Sequence, residues 1–218
     1  MLSKMQITAC SFASMLGQLF KIMAACLLLL ACKQKPDPSG EDFSGFSPPV
    51  DSTINYNEPV YPYLDYIQEQ IKMVDTIPYA IERILIVDGK TIDSSFVSKD
   101  VFKNEARAFL EINPNDSSLR KHYIESSFND LTLGLVTFSI SSQEADLKLQ
   151  QADILVNPDN NAVKNLILRK QFSAADSSVE QMLLWKDKMH FQISEVITKK
   201  DNSTYYRVLK IIWDKPLE

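Results

Sequence analysis

From Leu133 onward the chain keeps a period of two. Val136, Phe138 and Ile140 alternate with Thr137 and Ser139, and Ala152, Ile154 and Val156 alternate with Asp153 and Leu155. The runs 163–172, 178–187, 189–199 and 204–214 continue in the same style. Successive side chains of a strand point to opposite faces, so this alternation predicts strands. The segments between the runs, NPDNNA, SAADSS, WKDKM and KKDNS, are made of turn-forming residues. A parallel neighbour would need a crossover of a dozen residues or more, and these connections are far shorter. The pattern therefore predicts an antiparallel meander.

The preceding part reads differently. Pro62 suits a first helical turn, and Leu64, Ile67, Ile71 and Val74 form one apolar stripe before Pro78 ends it. The run 84–92 carries Asp88-Gly89 between apolar residues, a hairpin signal. A second helical region is expected from about Lys99 to Glu111, with Val101, Phe102, Ala106, Phe109 and Leu110 inward, until Asn113-Pro114 breaks it. Asp116 or Ser117 can cap a third short helix carrying Leu119 and Tyr123. The expected architecture is α+β, with N-terminal helices packed on one face of a curved antiparallel C-terminal β-meander.

Apolar residues on the last strand suggest where a site would lie. Tyr205, Arg207, Leu209, Ile211 and Trp213 share one face, and Tyr206, Val208, Lys210 and Ile212 share the other. Both faces hold apolar residues, which predicts cover on each side: helices on one, a cavity or partner on the other. Trp185, Leu209, Ile211 and Trp213 are the candidate ligand or partner face. Tyr56, Tyr61, Tyr63 and Tyr66 cluster near the start of the domain, either as the rim of the core or as a partner surface.

The N-terminus is read as an export signal. Lys21 supplies a positive charge and Ile22–Ala31 an apolar core, too short to span a bilayer as a helix. Leu29, Leu30 and Ala31 precede Cys32, and the string resembles the lipobox of bacterial lipoproteins. That resemblance implies cleavage before Cys32, acylation of its thiol and attachment to the membrane through the acyl chains. Cys10 lacks an apolar core before it, and Lys21 interrupts the one before Cys26. A start at Met15 instead of Met1 would give a compact signal. The expected organisation is a signal peptide at 1–31, an acylated Cys and Pro/Ser-rich tether at 32–59, and one domain at 60–218.

The strings YAIERILIVDGKTIDSSFVSKDVFKNEARAFLEI and LLWKDKMHFQISEV are similar to uncharacterised lipoproteins of Bacteroidota. That resemblance implies an envelope address and no particular activity. Lys33, rather than an acid, follows Cys32, which fits sorting to the outer membrane. Asp51-Ser52-Thr53 and Asp75-Thr76-Ile77 look like the O-glycosylation strings of exported proteins in that phylum.

Composition narrows the function classes. The chain carries 23 Lys and Arg against 28 Asp and Glu, and the signal would remove two cations, Lys4 and Lys21, and no acid. Such acidity opposes nucleic acid as a partner. No cysteine follows Cys32, which rules out disulfides and thiolate zinc sites in the mature chain. Clustered glycines for phosphate loops are missing. The two histidines, His122 and His190, stand alone in sequence, with no GxSxG or HExxH string near them. No catalytic residue, metal ligand or cofactor is expected. The expected function is a non-enzymatic interaction or assembly module whose partner is another envelope protein. The alternative is a carrier of lipid or another hydrophobic ligand, and the enzymatic rival is a hydrolase built on His122 or His190.

Overall fold

The structure is a computed structural model that describes residues 58–213. Its body is one nine-stranded antiparallel sheet: β1 (Glu82–Val87), β2 (Lys90–Phe96), β3 (Tyr123–Asp130), β4 (Leu135–Ser142), β5 (Leu149–Asn157), β6 (Ala162–Ala174), β7 (Ser177–Lys186), β8 (His190–Lys199) and β9 (Thr204–Ile212). The spatial order is β2-β1-β9-β8-β7-β6-β5-β4-β3, so β3 to β9 form a meander and the β1–β2 hairpin docks on its last strand. Two short helices, α1 (Tyr63–Thr76) and α2 (Lys99–Ala106), complete the described fold.

This overturns the α+β expectation of N-terminal helices on a C-terminal meander. Strands dominate, and the sheet draws on the N-terminal half as well. The 84–92 hairpin is part of the same sheet, and its second strand runs on to Phe96. The expected second helix stops at Ala106, where a 3-10 turn, Arg107–Phe109, follows. The expected third helix is absent. Its residues make turns and a short 3-10 segment, Arg120–His122, and Tyr123 opens β3. Tyr123 is buried and donates its hydroxyl to the Leu149 carbonyl, so it is anchored to β5.

Local chemistry explains the elements that do form. α1 buries Tyr63, Ile67, Gln70 and Val74, close to the predicted stripe. It ends where Ile77 adopts an extended backbone, as a residue before proline must. Ser98 caps α2 by accepting from the Val101 N–H at 3.4 Å. Asp88 and Gly89 both take positive φ in the β1–β2 turn, as a two-residue reversal between twisted strands requires.

The register places Leu166, Trp185, Phe191 and Ile211 in one line across the sheet. Leu168, Leu183, Ile193, Leu209 and Leu85 form the next line on the same face. α1, α2 and the 3-10 turn close this face, contributing Ile67, Val74, Phe102, Ala106 and Phe109 to a single core. Further along the strands the same face turns polar. Lys170, Gln181, Glu195 and Arg207 stand in line, with Gln181 and Arg207 both donating to Glu195 at 2.8 Å.

Candidate functional site

The four residues expected to form a ligand or partner face all lie in the closed core. Trp185, Ile211 and Trp213 have no exposure and Leu209 has 2 %. Phe109 meets the Trp185 ring edge-on at 5.0 Å, Phe102 meets Trp213 at 5.2 Å, and Phe191 stacks on Trp185 at 5.1 Å. These phenylalanines fill the space beside the tryptophans. Both indole N–H groups are buried without a hydrogen-bond acceptor among the described residues.

The opposite face of the sheet carries the open site. Because Leu183, Trp185 and Ile193 point inward, Met182, Leu184, Ser194 and Val196 point outward. β9 adds Tyr206 and Val208, and β6 adds Ile167 and Arg169. Among these, Arg169, Met182, Ser194, Val196, Tyr206 and Val208 line a groove of about 440 Å³. Met182 is 45 % exposed and Tyr206 57 %, high values for large apolar side chains in the middle of a sheet.

Polar pairs fix one border of this groove. Asp153 accepts from Ser139 at 2.7 Å, from Gln151 at 2.7 Å and from Arg169 at 3.0 Å, spanning β4, β5 and β6. With its hydrogen bonds made inside the sheet, the Arg169 head is held at the groove edge. The floor offers methyl, thioether and phenol groups, and the rim offers a guanidinium and the Glu180 carboxylate. This arrangement can bind an apolar surface with a polar border; it aligns no nucleophile with a base.

The other sequence candidates are dispersed. His122 precedes β3 and its Nδ1 contacts the Glu144 carboxylate; His190 begins β8, five strands away in the sheet. No group of His, Cys, Asp or Glu able to hold a metal ion occurs among the described residues. The tyrosines fasten the domain. Tyr63 donates to the Ile112 carbonyl at 2.8 Å and Tyr66 to Asp187 at 3.1 Å. Burial pushes both phenols upward, and for Tyr66 the neighbouring Asp187 adds to it. Tyr61 lies against Phe138, its backbone N–H on Glu125. Thr76 is exposed at the end of α1, its hydroxyl on the Lys72 carbonyl. Cys32, the tether up to residue 57, Tyr56 and Asp51-Ser52-Thr53 lie outside the described residues. Among the described residues, no helix is long and apolar enough to cross a membrane.

Sequence reasoning missed Met182 and Val196 as site residues. Tyr206 and Val208 did carry a signal, since both faces of β9 hold apolar residues. No family model, curated protein or solved structure matches the chain.

Proposed function

We propose that this protein is an envelope lipoprotein, held in the outer membrane by acyl chains on Cys32. Its domain serves as a non-enzymatic interaction module that presents the outer sheet face to another envelope protein. The observation that carries this reading is the groove around Met182, Val196, Tyr206 and Val208 on a sheet whose other face is closed. An apolar patch rimmed by polar groups is the surface that protein partners cover.

The carrier alternative draws support from the same groove, whose volume falls within the roughly 300–1,000 Å³ of small-molecule sites. Among the described residues the groove has a floor and no roof, however. A ligand lying in it would keep one side in water, whereas a second protein surface would supply the missing wall.

The test is a photoreactive phenylalanine analogue placed at Met182 or Tyr206 in the native envelope. One discrete protein adduct is expected from both positions. A lipid adduct alone would transfer the reading to the carrier, and the absence of any adduct at either position would remove this face from consideration.

A further inference from the structure

The β3–β4 hairpin ends in an apolar tip. Leu131 is 86 % exposed, Leu133 63 % and Phe128 56 %. The turn itself holds them there. Asp130 Oδ1 accepts from the Thr132 N–H at 2.9 Å and the Leu133 N–H at 3.0 Å, and the Gly134 N–H donates to the Asp130 carbonyl at 2.8 Å. Gly134 completes the reversal with a φ of +63°. Leu131 and Leu133 on a braced turn, with Phe128 three residues before Leu131 on β3, differ from the scattered exposed leucines of an ordinary surface. Asp130 is the single charge between Phe128 and Gly134, and no cation stands there to meet an anionic surface.

The other end of β3 fixes where the chain enters. Asn115 accepts from the Val60 N–H at 2.7 Å and donates to the Val60 carbonyl at 2.9 Å. Glu125 takes the Tyr61 N–H, and Arg120 donates to the Glu58 carbonyl. Five steps along the strand from Glu125 to Asp130, at about 3.4 Å each, put the tip roughly 17 Å from this clamp. About 26 residues separate Cys32 from Glu58, a reach of at most about 90 Å. Chain length therefore lets the tip touch a bilayer that holds Cys32. Once the anchor is in place that contact is intramolecular, so even weak insertion is populated.

We propose that the β3–β4 hairpin inserts Leu131, Leu133 and Phe128 into the surface of the bilayer that holds Cys32, a zwitterionic one by the charge of the tip. The inference rests on the lipid anchor proposed above. Two attachments then fix the orientation of the sheet, and the outer groove faces a constant direction relative to the membrane.

The experiment uses the full chain made in a host that acylates lipoproteins and reconstituted into phosphatidylcholine vesicles with brominated acyl chains. Leu131→Trp adds a reporter indole, and the unsubstituted chain supplies the background from the two buried tryptophans. Intact mass reports the acyl group on Cys32. Expected are an acylated mass, loss of most of the added emission to bromine quenching, and recovery of that emission in Leu131→Trp with Leu133→Asp. An acylated chain whose added emission is unquenched would overturn the hairpin proposal and leave the anchor standing. A chain with an unmodified Cys32 would overturn the anchor and the hairpin proposal with it.

Discussion

Replacing Trp185 separates a core residue from one on a binding face. Its ring lies within 6.2 Å of four aromatic neighbours, Phe102, Phe109, Phe191 and Trp213, and none of its surface meets water. Trp185→Ala leaves a void lined by those rings, and a Trp-to-Ala change in a core costs about 3–5 kcal/mol. Trp185→Phe behaves differently. The smaller ring forfeits about 1–2 kcal/mol of burial and packing. It also removes an indole N–H with no acceptor, and a buried donor left unpaired costs about 1–3 kcal/mol. The two terms nearly cancel, so Trp185→Phe is expected to lie within about 1 kcal/mol of the parent.

Urea unfolding of the soluble chain from Lys33 measures both variants, followed by circular dichroism and by the emission of Trp213. A Trp185→Ala loss below about 1 kcal/mol would show that the core assignment is wrong, because a residue lining an open face leaves no cavity when truncated. A Trp185→Phe loss of 3 kcal/mol or more would refute the unpaired donor and mean that the N–H has a partner.

Two further predictions concern the borders of the fold. The Lys170 ammonium, with 1 % of its side chain exposed, contacts the Ala108 carbonyl and lies 3.1 Å from Glu111. Burial pushes Lys170 down; burial also pushes Glu111 up, but Lys148 and Lys170 outweigh this and hold its carboxyl below the usual range. The depressed carboxylate stabilises the fold above its unfolded value of about 4.5, and that contribution disappears as pH falls through the folded value. The depressed ammonium opposes folding at neutral pH, and stability rises between its folded value and about 10.5. The Glu111 side chain is 41 % exposed, so water screens the pairing; Glu111→Ala is expected to lose about 1 kcal/mol at pH 7 and to flatten the acid limb of the stability curve, read by thermal melts from pH 3 to 7. A Glu111→Ala chain as stable as its parent, with the acid limb intact, would refute the pairing. Asn115→Ala strips both partners from the Val60 backbone and should cost about 1–2 kcal/mol, with faster hydrogen exchange at the Val60 amide. Unchanged exchange would mean that Asn115 does not clamp the entering chain.

The parts of the fold that were legible in the sequence are those whose side chains are sorted by burial. β5 to β9 have one face in the core, so their apolar residues alternate; α1 has a stripe for the same reason. β3, and β2 beyond the start that the Asp88-Gly89 turn announces, were not legible as strands because they are the two edges of the sheet. Lys90–Phe96 is exposed almost throughout, and Glu125–Asn129 is exposed at every position. Backbone pairing to one neighbour holds them in place, and backbone groups are common to every residue, so no side-chain pattern records it. Tyr123 shows the consequence: beside Leu119 it reads as a helix face, yet the Leu149 carbonyl and β5 decide its state.

The burial of the candidate face was hidden from the sequence for a different reason. The alternation on β7, β8 and β9 reports which residues share a face, but it does not report which face is covered. Trp185, Leu209, Ile211 and Trp213 looked available because strand chemistry alone cannot see Phe102 and Phe109. Those two side chains come from α2 and the turn after it, more than seventy residues earlier than Trp185. Once they occupy the inner face, the other apolar row, Met182, Val196, Tyr206 and Val208, is the one left in contact with water. A two-sided sheet thus announces that it has two apolar faces, and the side chains carried by its helices decide which of them remains open for a partner.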